Sequence, residues 1–259
     1  MIKNRKNKII LGVLAGAAVI SLASVGFAQW QIGIMKENVN NDFTLDVDTT
    51  TSQTAVLDIE LDANKTIKIG ETAAVTNTDG GVTTFGDVTG KLTVGVRRFR
   101  IIVDQDHTLG KVTFSYTVGT ANETSRFKVT TGETDSFSRK TKTEYSYLAL
   151  ANAEITSTDI EANFTKDEAL IPEHIVYTLI DKADNPYKKL GFTWGDYFGN
   201  VNPGKFYNDK INAPENNIEQ KIKLAGSASR ELKDMRTNML KEDDNVIHMS
   251  INLTTTKNN

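Results

Sequence analysis

The sequence predicts a mainly β protein: an antiparallel sandwich with one or two peripheral helices, preceded by an N-terminal hydrophobic signal helix. Three observations carry this. The first 28 residues are ordered as an export signal. Much of the rest alternates apolar and polar residues with period two, the mark of a strand with one buried face. Turn residues punctuate those runs. The expected layout is a signal over 1–28 and one sandwich domain over 29–259, with a helical insertion over about 216–241.

The signal reads MIKNRKNKIILGVLAGAAVISLASVGFA. Lys3, Arg5, Lys6 and Lys8 form a basic start, Ile9–Ile20 is uncharged and apolar or small, and Ser21–Ala28 is rich in small residues. Gly26-Phe27-Ala28 offers a processing site that would leave Gln29-Trp30 as the new start, and Ser21-Leu22-Ala23 offers another. The rival reading is a retained anchor, since about 20 apolar residues span about 30 Å of hydrocarbon. Either way the bulk of the chain is expected outside the cytoplasm, secreted or at the cell surface, touching membrane only through this segment.

The strands follow. Leu57-Asp58-Ile59-Glu60-Leu61 alternates, as do Leu92, Val94 and Val96 in a run that continues through Phe99-Arg100-Ile101-Ile102-Val103. Val112, Phe114, Tyr116 and Val118 alternate with Thr113, Ser115 and Thr117. Ile247, Met249, Ile251 and Leu253 alternate with His248, Ser250 and Asn252. Branched and flat side chains suit a pleated surface. Asp79-Gly80-Gly81, Thr89-Gly90, Thr131-Gly132 and Asn185-Pro186 mark turns.

One stretch departs from period two. Ile218, Ile222, Ala225, Leu232, Met235, Met239 and Leu240 fall at helical spacings and predict a core-facing helix. Gly226-Ser227 is expected to interrupt it, with Ser227 or Ser229 capping the second part. A further helix is expected within Ala151–Leu170, starting near Thr165-Lys166-Asp167-Glu168.

Composition narrows the function. The formal charge is −3, and removing the four basic side chains of the signal leaves the remainder more acidic. Nucleic-acid binding wants a basic face, so no nucleic-acid partner is expected. With no cysteine, thiol catalysis, thiolate metal sites and disulfides are excluded. The three histidines, His107, His174 and His248, are far apart and form no HExxH pair. Neither a GxSxG elbow nor a phosphate loop occurs. Asp104, Asp106 and His107 could hold a hard cation, and Asp42, Asp46 and Asp48 invite the same thought. Both sets read more simply as solvated turns and edges. No catalytic residue, cofactor or metal ligand is therefore assigned.

The most distinctive stretch is Leu190–Asn208, which crowds aromatic rings and four glycines into 19 residues. Trp194, Gly195, Phe198, Asn202, Pro203, Phe206 and Tyr207 are its candidate residues. Glycine permits close backbone approach while rings plug the end of a sandwich, so an ordered structural loop is one reading. A ligand or subunit contact is the other.

The basic-apolar signal ending in small residues, the Trp30 that follows it and the Thr-rich strands resemble bacterial exported proteins of the TasA/camelysin group, which carry SipW-type signal peptides. The run Phe192–Pro203, then Phe206-Tyr207-Asn208, a helix and a last strand, is similar to the C-terminal half of that group. The likeness covers the signal and roughly 190–254. It implies a jelly-roll-like sandwich, handling by a dedicated signal peptidase, and assembly into fibres in which a freed N-terminal segment lends a strand to the next subunit. Here that segment would be Gln29–Asn41, where Trp30, Ile32 and Ile34 alternate with Gln29, Gln31 and Gly33. The same pattern would suit the sandwich's own first strand.

The resulting expectation is a non-enzymatic cell-surface or biofilm-matrix structural protein that associates with itself or with other matrix proteins. The alternative is an adhesin that grips a ligand with the aromatic loop. A camelysin-like protease is disfavoured, for want of a recognisable zinc site.

Overall fold

The alternating runs assemble into two six-stranded sheets, with strands and helices numbered in chain order. The computed structural model describes residues 42–49, 54–72, 75–78, 82–119, 124–133, 135–240 and 245–258. The signal, the candidate donor residues Trp30, Ile32 and Ile34, and the turn at Asp79-Gly80-Gly81 lie outside the described residues. Sheet I runs in the order β12 (Glu154–Ile155), β8 (His107–Val118), β16 (Val246–Lys257), β1 (Asp42–Thr49), β3 (Thr66–Thr72) and β6 (Val88–Lys91). Sheet II runs β11 (Leu148–Leu150), β15 (Lys189–Trp194), β7 (Thr93–Asp104), β14 (His174–Leu179) and β13 (Phe164–Asp167), with β2 (Ala55–Leu61) also on β7. Two short ladders complete the strands: β4 (Val75–Thr78) with β5 (Val82–Phe85), and β9 (Lys128–Thr130) with β10 (Glu144–Ser146).

The two sheets face each other across one core. Tyr116 of β8 meets Phe192 of β15 edge-on at 4.9 Å between ring centroids, and Phe127 packs against both rings. Period two decides who enters that core. On β16, Ile247, Met249 and Ile251 are buried while the residues between them are partly or fully exposed.

The expectation of antiparallel pairing throughout is corrected at the first and last of the described strands. β1 runs parallel to β16, with Leu45 opposite Ile247 and Val47 opposite Met249. Alternation is the same read in either direction, so it cannot reveal this. No hairpin constrains two strands so far apart in sequence, and a long connection permits parallel pairing.

β7 carries a second departure. Val94 and Val96 are buried, and so are Phe99, Ile101 and Val103, although the step from Val96 to Phe99 is three. Strict alternation would put one of these sets in water. A bulge resolves the conflict: Leu61 of β2 pairs Val96 and Glu60 pairs Arg98, so Arg97 is the extra residue. Arg97 and Arg98 are both exposed as a result.

Three α-helices occur among the described residues. α1 (Ser157–Asn163) begins earlier than expected. Thr156 and Asp159 form a capping box there, the Thr156 hydroxyl accepting from the Asp159 N–H and the Asp159 carboxylate accepting from the Thr156 N–H. The expected start at Thr165–Glu168 is instead β13, whose Thr165 pairs Thr178 of β14, with Glu168 just beyond the strand. α2 (Pro203–Ile211) was not anticipated and lies in the aromatic stretch.

α3 (Ile218–Met239) is one continuous helix. Asn217 and Gln220 cap it with a reciprocal box, so no second cap at Ser227 or Ser229 is needed. Ala225, Ser227, Ala228 and Ser229 are buried, and these small side chains let the helix approach its neighbours closely rather than breaking it. Leu232, Met235 and Met239 face the core as expected, whereas Ile218 and Ile222 are 51% and 44% exposed.

Candidate functional site

The aromatic stretch is a succession of elements rather than a loop. β15 ends at Trp194, a 3-10 turn covers Asp196–Phe198, and Asn202 caps α2 with Pro203 at its first turn. Phe198 is completely buried and is the hub. Tyr147, Trp194, Tyr197, Phe206 and Tyr207 surround it with centroids 5.0–6.0 Å away. Trp194 is half-buried and meets Phe198 edge-on. Pro203, Phe206 and Tyr207 are buried.

Gly195 explains why this turn needs a residue without a side chain. A Cβ there would lie 2.1 Å from the Ser146 carbonyl oxygen, and backbone cannot give way. The close approach is locked by the Gly195 N–H donating to the Tyr147 carbonyl and by Asp196 Oδ1 accepting from the Ser146 N–H.

Two asparagines then fasten α2 to the neighbouring strands. Asn202 Oδ1 accepts from the N–H groups of Val88 and Gly204, and its Nδ2 donates to the Val88 carbonyl. Asn208 treats Phe85 the same way, accepting from its N–H at 2.9 Å and donating to its carbonyl. Each amide thus stands in for an adjacent strand. Asn202→Asp keeps a good cap but sets an acceptor against the Val88 carbonyl. The expected loss is about 1–3 kcal/mol in urea unfolding, and an unchanged midpoint would refute the strand-surrogate role.

Beside the rings sits an ion network with no local signal in the sequence. Arg139 lies over the Tyr197 ring, 3.7 Å from its centroid. Its Nε donates to Asp135 Oδ2 at 2.8 Å, its Nη2 to Glu231 Oε2 at 2.6 Å and its Nη1 to the Tyr197 carbonyl at 3.1 Å. The same Glu231 oxygen accepts from the Tyr207 hydroxyl. Burial works against the Arg139 charge, but hydrogen bonds to Glu231 and Asp135 outweigh it and hold the guanidinium protonated beyond its ordinary range. Burial, reinforced by the Glu231 carboxylate, pushes the Tyr197 and Tyr207 phenols well above theirs. Chemically this is a plug, since its rings spend their faces on one another.

No family model, curated protein or solved structure matches the chain.

Away from the plug, the fold gathers Asp104, Asp106 and His107 at the β7–β8 turn, with one ligand atom of each within 4.8 Å of the others. It also brings in His174, a neighbour that spacing did not disclose, because His174 is in register with Asp104. His174 Nδ1 lies 2.8 Å from the Pro172 carbonyl and Nε2 lies 3.3 Å from Asp104 Oδ1. His107 Nδ1 lies 2.6 Å from Asp106 Oδ1. The group is partly to fully exposed, and both Nδ1 atoms and His174 Nε2 lie against neighbouring oxygens. His248 stands on β16 opposite Thr117, apart from this group in the ladder. Asp42, Asp46 and Asp48 belong to β1.

Proposed function

We propose that the protein is an exported, non-enzymatic structural component of a bacterial cell surface or biofilm matrix. Its subunits associate by strand donation, the N-terminal segment of one copy, with Trp30, Ile32 and Ile34, adding to a sheet of the next. Signal peptidase would expose that segment. The double sheet is taken as a jelly-roll-like variant in which β1 is parallel to β16.

The observation that carries this reading is the edge of sheet II. β2 pairs with β7 along one side, and no described strand pairs with the outer side of Val56–Leu61. Val56 on that strand is 43% exposed. An unpaired strand edge is a template for another chain, with main-chain hydrogen bonds supplying affinity and alternate side chains supplying register.

Electron microscopy of the chain beginning at Gln29, beside one beginning near Asp42, tests the idea. Filaments are expected only from the first. Val56→Lys should suppress them at unchanged melting temperature, because a charge blunts an edge. If both chains stay monomeric under every assembly condition, strand donation is wrong. An adhesin built on Trp194, Phe198, Phe206 and Tyr207 is not proposed, because those rings pack on one another. Nor is a protease.

A further inference from the structure

The face of sheet II opposite Phe99, Ile101 and Val103 is laid out in rows by the strand register. Val56, Ile102 and Val176 form one row, Asp58, Arg100 and Thr178 the next, and Glu60 with Arg98 the third. The bulge adds Arg97 beside Arg98. From these rows Glu60, Arg97, Arg98, Arg100 and Thr178, together with Asp181 and Lys188, border a cleft of about 490 Å³, within the size range of small-ligand sites.

Most of the charge on this face is already matched. Arg98 donates from Nε to Asp58 Oδ2 at 2.9 Å and from Nη1 to Glu60 Oε2 at 2.7 Å. Arg97 Nη1 lies 3.3 Å from Glu60 Oε1, and Lys188 pairs with Asp181. Arg97, Arg98 and Lys188 thereby engage Asp58, Glu60 and Asp181. Arg100 remains. Its Nε is sealed from solvent, and no described group accepts from it. Asp58 faces it across the strands, but that carboxylate is held by Arg98.

A buried guanidinium N–H without an acceptor is costly, and an acceptor arriving with a ligand is one way to satisfy it. The arginine fork matches the paired oxygens of a carboxylate or phosphate, and a bare ammonium does not. The Thr178 hydroxyl, next in the row, is a second donor. We propose that this cleft binds an oxyanion, the carboxylate or phosphate group of a small ligand, with Arg100 as its anchor. The site is independent of strand donation, since it lies on the sheet's face rather than its edge.

Isothermal titration at low ionic strength, with inorganic phosphate in one arm and acetate in the other, tests this on the purified protein. At least one arm should show saturable binding, and the arm that binds names the class of oxyanion. Arg100→Met should weaken that binding about tenfold or more, whereas Arg97→Met should change it by less than about threefold, since fork contacts dominate over long-range charge. Arg100→Met should not lower the melting temperature, because no protein partner is lost. Absence of saturation in both arms overturns the proposal. So does an Arg100→Met variant that binds like the parent, or one that loses binding only together with its fold.

Discussion

Arg139→Met is expected to destabilise the fold by about 3–5 kcal/mol, the cost of leaving buried carboxylates without their cation. The side chains of Arg139 and Asp135 are 7% and 4% exposed and that of Glu231 is 23% exposed, so water replaces the cation poorly, least of all at Asp135. Methionine roughly keeps the volume, which leaves charge and hydrogen bonding as the variables. Adding Asp135→Asn and Glu231→Gln to Arg139→Met should recover part of the loss, because the stranded charges are then gone. Urea unfolding of the parent, Arg139→Met and the triple variant measures this. A loss below about 1 kcal/mol for Arg139→Met would mean the network behaves like an exposed ion pair.

Alkaline unfolding is the second large effect. Burial, aided by Glu144, pushes the Tyr116 phenol up to about 12. Burial likewise raises Tyr147 to about 12, with Asn238 opposing and the carboxylates of Glu231 and Asp234 assisting. Tyr197 and Tyr207 are raised further. In the unfolded chain a tyrosine releases its proton near pH 10. Below that pH both states hold the proton and the full stability is present. Above it the unfolded chain binds fewer protons, so stability falls as pH rises through the folded values. Each raised tyrosine contributes a slope of about 1.4 kcal/mol per pH unit over that window. Tyrosinate absorbance and far-UV circular dichroism should therefore change together between about pH 10 and 12. Ionisation of all seven tyrosines near pH 10 in a chain that keeps its strand signal would contradict the burial of these rings.

Local patterns carried much of the fold. Ile247, Met249 and Ile251 announced a half-buried strand, and Leu232, Met235 and Met239 announced the buried part of α3. What escaped depends on partners. The direction of β1 against β16 leaves no trace in alternation, and the Arg97 bulge shows only once β2 is laid alongside β7. α2 hid because Gly, Pro and Asn dominate its start, and these are turn residues until Asn202 is seen capping it. The aromatic stretch was visible as composition, but its role was not. Only the structure shows the rings packed around Phe198, and Arg139 meeting Glu231 across 92 positions of sequence.

The parallel pairing of β1 with β16 also decides how the domain would bear load. Asp42 opens β1 at the end of the ladder where Thr44 meets Val246, and Lys257 closes β16 beyond the opposite end. A pull on Asp42 against Lys257 drags the two strands lengthwise past each other. Their cross-links are then strained together in shear, rather than parted one after another as a peeled hairpin would be. On the proposed reading, a copy held through the segment before Asp42 is thus loaded in shear along this ladder.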